Sequence, residues 1–208
     1  MKKLLTLIIM AASISLSAQH IELPNPQKSG GMPLMEALGE RRSTREFSER
    51  EPDTQTLSDL LWAAYGFNRP DENKRTAPTS RNYQEIEVYV SMASGLYRYD
   101  AAENMLINVH GRDIRANTGL QDFVATAPIN LIYVANQEKV QDPHGDRQLR
   151  SSHTNSGFIA QNVYLFCASE GLVSVVRAWF DEADLRQAME LDENYKIILT
   201  QTVGYPVD

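Results

Sequence analysis

Residues 39–50 read GERRSTREFSER and set Arg41, Arg42, Arg45 and Arg50 close together in a chain of formal charge −7. Two readings compete. One is a solvated helix end, where basic side chains complement the negative pole. Glu40, Glu46, Glu49 and Glu51 would then serve as surface partners, each pair contributing about 0–1 kcal/mol. The other is a phosphate cradle. A guanidinium presents planar forked donors that match two oxygens of one phosphate, and Ser43 or Thr44 adds a hydroxyl. Helical patterning begins near Pro33 and carries LMEALGERRS up to the arginines. If that segment is helical, Arg41 and Arg45 stand one turn apart with Ser43 between them.

Two further segments bear on the choice. RTAPTSRNYQ, residues 75–84, sits in a loop immediately before a strand. Pro78 fixes backbone direction, Ser80 offers a hydroxyl, and Asn82 carries both a donor and an acceptor, a set suited to the edge of a flat heterocycle. The commoner fate of such residues is a polar turn. SEGLVSVVRAW, residues 169–179, runs from a helix end through Gly171 into a strand, where backbone N–H groups can face a ligand.

Around these segments the pattern is α+β. Asp53 can cap a helix whose Leu57, Leu60, Leu61 and Ala64 share one face and which Gly66 can end. EIEVYVSM, LYRYD and MLINV read as an antiparallel meander or as two hairpins on one edge of a sheet, and Gly119 to Thr126 as a short helix before the buried strand PINLIYVA. A long helix is expected over about Arg150 to Glu170, with Phe158, Ile159, Val163, Leu165 and Phe166 inward. LVSVVRAWF then reads as a strand, DEADLRQAMEL as a helix and YKIILTQTVGYP as a closing strand. Hairpins mixed with helix-then-strand units imply helices packed on an antiparallel or mixed sheet.

The first eighteen residues, MKKLLTLIIMAASISLSA, have the basic start, apolar centre and small-residue end of a secretory signal, too short for a membrane span. The expected address is periplasmic or secreted, with no lipid or membrane anchor. Residues 19–32 form an extended leader and 33–208 a single domain. Without the signal the charge becomes −9, which argues against nucleic acid and anionic membrane as partners. Cys167, the only cysteine, lies in an apolar run and reads as buried filler. The four histidines lack metal-ligand spacing, so no metal is expected.

In this order the segments resemble the FMN-dependent nitroreductase family. RRSTREF matches its Arg-Arg-Ser-x-Arg-x-Phe opening at Arg41, Arg42, Ser43, Arg45 and Phe47. APTSRNYQEIEVYV is similar to its Ala-Pro-Ser-x-x-Asn-x-Gln loop, with Pro78, Asn82 and Gln84 in register and Thr79 in place of the usual Ser. QNVYLFCASEGLVSVVRAWFD resembles its Gly-Leu-Gly helix end and strand, with Val173 replacing the second glycine, and TVGYP matches its closing strand. LLWAAYGFNRP and GLYRYDAAENML look most like the branch of azoline dehydrogenases. The likeness runs from Pro33 to Pro206.

The resemblance implies a three-layer sandwich, a central mostly antiparallel sheet flanked by helices, as a homodimer with one FMN at each of two interface sites. Arg41, Arg42, Ser43 and Arg45 would hold the phosphate, the ribityl end or the pyrimidine edge. Pro78, Thr79, Ser80 and Asn82 would contact the flavin from the other subunit. Val176, Arg177 and Ala178 would line the ring, with a backbone N–H near N5. The family's basic residue beyond the last strand has no counterpart in GYPVD. Expected function is electron transfer from a donor such as NAD(P)H to a flat acceptor, a nitroaromatic or a quinone. The rival is an exported flavin- or heterocycle-binding protein of the same fold without turnover. Tyr83, Phe123 and Trp179 are either stacking surfaces or core.

Overall fold

The computed structural model describes residues 19–140 and 145–207; the expected export signal lies outside the described residues. The chain enters through a short strand β1 (Ile21–Glu22) and helix α1 (Leu34–Glu40), and after the arginine segment forms α2 (Thr54–Tyr65). Asp53 caps α2 as expected: its carboxylate accepts the Thr56 N–H at 2.7 Å, and Gly66 follows the last turn. A two-stranded hairpin, β2 (Phe67–Arg69) and β3 (Lys74–Arg75), leads into the expected meander of β4 (Ile86–Met92), β5 (Gly95–Asp100) and β6 (Met105–His110). Then follow β7 (Ile129–Asn136), α3 (Gly145–Ser169), β8 (Val173–Arg177), α4 (Glu182–Met189) and β9 (Tyr195–Gly204).

Seven strands form one antiparallel sheet in the order β1-β6-β5-β4-β7-β9-β8. Every residue of β7 is buried because both faces of the sheet are covered there. On one face, Leu57, Leu60 and Leu61 of α2 and Ile159 and Val163 of α3 meet Val88, Val90, Leu131 and Tyr133. On the other, Leu185 and Met189 of α4 meet Tyr89, Ile132, Val134 and Ile197. Alternation along β7 sends Leu131 and Tyr133 to the first layer and Ile132 and Val134 to the second. Each fully buried leucine or isoleucine stabilises by about 1.5–3 kcal/mol, which is what clamps the three layers together.

Several local expectations are corrected. Phe158 is 43% exposed, not inward. Ile159, Val163 and Cys167, four apart, form the buried stripe, and Phe158 lies about 100° round the helix from Ile159. The long helix begins at Gly145, before Arg150. Gly119–Thr126 is not one helix: two 3₁₀ turns, Arg115–Thr118 and Asp122–Ala125, flank Gly119. The leader is tied down more than its composition signals. Ile21 and Glu22 pair with β6, the Ser58 hydroxyl and the Asn104 amide donate to Pro24 O, and Met32 N–H donates to Ser169 Oγ at 2.7 Å.

Candidate functional site

The arginine segment is extended. Helix α1 stops at Glu40, and Arg41 already has φ −56° and ψ 123°. Ser43 then forms a parallel bridge with Ser174, and Thr44 N–H donates to Ser174 O at 3.0 Å. The physical reason is β8's position at the end of the sheet, where its outer edge would otherwise leave backbone groups unpaired. The expected single helical turn from Arg41 to Arg45 is therefore replaced by a strip laid along that edge.

Tyr164 of α3 locks the strip in place. It is 7% exposed. Its hydroxyl accepts the Val176 N–H at 2.9 Å and shares a second bond with Ser43 Oγ at 2.8 Å, while the Arg41 guanidinium lies 5.4 Å from its ring centroid. Arg41 and Ser43, two positions apart on an extended chain, thus meet one side chain from the same side. The arginine motif and the strand motif, 130 residues apart in sequence, are joined here. Tyr164 was not among the expected site residues. Its one signal is a hydroxyl within an otherwise apolar helical stripe, since buried tyrosines need a partner.

Among the described residues, Arg41, Arg42 and Arg45 form no salt bridge, and Glu40, Glu46, Glu49 and Glu51 form none either. The surface ion-pair reading fails on that point. Arg42 and Tyr164 line a cavity of about 380 Å³ with Gly171, Val173 and Ser174, bordered by Glu36 and Glu40. Cys167 also borders it, but burial pushes its thiol well above the usual range, so it offers no thiolate. Arg41 and Arg42, without carboxylate partners among the described residues and beside the Ser43 and Tyr164 hydroxyls, fit a phosphomonoester, which supplies counter-charge and enough oxygens to meet forked donors. Arg45 is exposed nearby in sequence.

On β8 the expected residues divide. Val176 is half-buried, with its N–H on Tyr164, and Ala178 is exposed just past the strand end. Arg177 is 6% exposed and turns inward. Its guanidinium donates to Thr202 Oγ1, to Asn130 Oδ1 at 3.1 Å and to Thr118, while Nε has no partner. All these acceptors are neutral. Burial lowers its pKa to about 10, so it is still a cation at neutral pH. Of the three aromatics, Trp179 is 62% exposed and is not core, Tyr83 is half-buried, and Phe123 pairs with Phe47 at 5.3 Å.

Pro78, Thr79 and Asn82 lie elsewhere. They line a cavity of about 460 Å³ that shares no residue with the one at Arg42 and Tyr164. Ser80 meets Arg150, Ser151 and Thr154 in another cavity. Thr154 precedes Tyr164 by ten residues, or about 15 Å along α3. The loop is held in an unusual shape: Arg81, Asn82 and Gln84 all have positive φ, near 50° to 56°. Such backbone costs about 1–3 kcal/mol per residue and concentrates at functional sites. Gln84 secures it by accepting from Arg75 Nε at 2.7 Å and donating to Asn73 O at 2.7 Å. Asn82 also spends its amide on Asn73 O, at 3.2 Å.

A three-layer α+β domain with an arginine strip along one sheet edge is the arrangement that the resemblance implied. The chain matches the model of the Nitroreductase family over residues 38–205, and it belongs to that family. It is 31% identical over 190 residues to a nitroreductase homologue of Methanocaldococcus jannaschii, covering 86% of this chain and 93% of the relative. A crystal structure of a nitroreductase homologue from Ralstonia eutropha JMP134 superposes with a TM-score of 0.88 at 42% identity, covering 92% of this chain and 91% of that one. A chain of the E. coli microcin synthetase McbBCD complex shares the fold, with a TM-score of 0.69 at 19% identity, over 100% of this chain and 79% of that one. With family membership, the expectation of an FMN-dependent oxidoreductase stands.

Proposed function

We propose that the protein is an exported, homodimeric FMN-dependent oxidoreductase that passes electrons from a reduced donor such as NAD(P)H to a flat nitroaromatic or quinone acceptor. The observation that carries this reading is the Tyr164 junction, which brings Arg41, Arg42 and the Ser43 hydroxyl to the outer edge of β8. Bound there, FMN supplies reversible hydride and electron chemistry, while the protein positions and tunes it. Arg41, Arg42 and Arg45 would take the phosphate, assisted by Ser43. The strand end at Val176 to Ala178 would lie along the ring, with the Val176 N–H kept on Tyr164 as the fixed point of the edge. Arg177, buried and cationic behind that strand, adds positive potential where negative charge develops on reduction.

The loop at Pro78 to Asn82 would close the seat from a second copy, because within one chain it is separated from Tyr164 by much of α3. Leu34, Met35 and Leu38 of α1 and Phe158 of α3 are exposed apolar side chains suited to the interface between copies. Purified protein should be yellow, bleach anaerobically with NADPH or dithionite, and sediment as a dimer. Protein that stays colourless after incubation with FMN would leave the fold as a binding scaffold without turnover.

A further inference from the structure

The hairpin β2–β3 carries a charge arrangement that the flavin seat does not use. Arg69 and Lys74 are direct cross-strand partners. Like charges in that relation destabilise a ladder, and a two-stranded hairpin has little stability of its own. Among the described residues neither forms a salt bridge. Arg75, next along the chain, is held rigidly: Nε donates to Gln84 Oε1 at 2.7 Å and Nη1 to Tyr65 O at 2.8 Å. Its guanidinium lies 4.4 Å from the Tyr65 ring and 4.2 Å from the Phe67 ring. Both hydrogen-bond acceptors are neutral. Asp100 acts on Arg75 only from a distance, without a hydrogen bond or salt bridge.

These three cations and Arg81 line one cavity of about 460 Å³, whose remaining walls are Ala77, Pro78, Thr79 and Asn82. Among the described residues no acidic one lines it, although the chain has 27 acids against 20 bases. Asp71 and Glu72, at the hairpin tip, stand outside the lining. A repulsive pair kept in an acidic protein, beside a pre-set guanidinium and a strained loop, is relieved by an anion.

We propose that this cavity is a phosphate subsite for the second substrate, so that the donor or acceptor entering beside the Pro78–Asn82 loop carries a phosphomonoester. The three cationic side chains Arg69, Lys74 and Arg75 match a dianion better than a singly charged carboxylate, and the arginines can each engage two oxygens. The ligand's identity as a substrate rests on the oxidoreductase reading; the anion site itself does not.

Two measurements separate these. Calorimetric titration of the FMN-loaded protein with pyrophosphate reports this cavity, because the arginine strip is already filled. The Arg69→Ala/Lys74→Ala variant should weaken pyrophosphate binding by about tenfold or more. Removing the repulsion should leave its Tm without added anion at or above that of the parent, and pyrophosphate should raise the Tm of the FMN-loaded parent but not of the FMN-loaded variant. If the protein takes up no FMN, the difference between parent and variant in the same titration tests the subsite, because the arginine strip is identical in both. Steady-state kinetics then compare NADPH with NADH, and 4-nitrophenyl phosphate with nitrobenzene. The variant should raise KM for the phosphate-bearing member of at least one pair by about tenfold, with its twin and FMN affinity changed less than about twofold. Undiminished pyrophosphate binding overturns the subsite. Loss of FMN affinity with both pairs unaffected overturns the substrate assignment and gives the cavity to the cofactor's own tail.

Discussion

Replacing Tyr164 by Phe removes a single oxygen and keeps the ring beneath Arg41. The structure sets the size of the effect. The Val176 N–H loses its acceptor at 2.9 Å, and a donor left unsatisfied in a half-buried position costs toward the lower part of about 1–3 kcal/mol. Ser43 loses its bond at 2.8 Å, but its side chain is exposed and can turn to water, so that term is small. The expected loss is thus toward the lower part of about 1–3 kcal/mol in urea unfolding of the FMN-free protein, with an unchanged slope. FMN affinity should fall as well, by about three- to tenfold, because Arg41 and the β8 edge no longer share an anchor. Ser43→Ala should cost under about 1 kcal/mol, since the Tyr164 hydroxyl still accepts from Val176. Combining the two changes should be no worse than Tyr164→Phe alone, the signature of groups acting through one junction. If Tyr164→Phe matches the parent in both unfolding midpoint and FMN titration, or the two changes simply add, the junction does not organise the site.

Arg41→Ala should weaken FMN binding by about 1.5–3 kcal/mol and riboflavin binding far less, a contrast that calorimetry reads directly. Arg50→Ala, whose guanidinium stacks 4.0 Å from the Tyr205 ring outside the site, should lose only about 0.5–1 kcal/mol of stability and leave FMN binding alone. At Gly119 an added Cβ would meet Arg177 Nε at 2.8 Å and Val124 Cγ1 at 3.2 Å. Gly119→Ala should therefore destabilise by about 1–3 kcal/mol in chemical unfolding, through displacement of the buried guanidinium. Asp53's bond to Thr56 N–H holds its carboxyl below the ordinary 3.8. Its folded pKa is depressed, so the cap stabilises at neutral pH and fades as pH falls through the folded value. The Tm gap between the parent and Asp53→Ala should accordingly narrow as pH falls below the ordinary carboxylate range.

Elements whose cues are local came through with little change. The cap, apolar face and terminating glycine of α2 lie within fourteen consecutive residues, Asp53 to Gly66, and the structure places each as expected. The unbroken apolar run of β7 announces a strand covered on both sides, and β4, β5 and β6 alternate and turn as a meander must. Cys167 is buried and inert for reasons already present in its neighbours. The arginine motif was legible as chemistry, through its density of forked donors in an acidic chain. Its conformation was not legible, because RRSTR has no strong local preference and the deciding partner, Ser174, is remote in sequence.

What the amino-acid order determined by itself was the inventory: an α+β chain, a guanidinium cluster with a hydroxyl, a polar loop before a strand, and a glycine-terminated helix feeding another strand. Such features depend on side-chain type and short-range periodicity, which act within a few residues. Tertiary structure alone decided that the cluster lies along a sheet edge, that Tyr164 fastens it there, that Arg177 faces neutral acceptors in the interior, and that Pro78 to Asn82 sits apart with four cations. Those outcomes follow from unpaired backbone at the end of a sheet and from charge kept away from water, conditions that exist only once distant segments have packed.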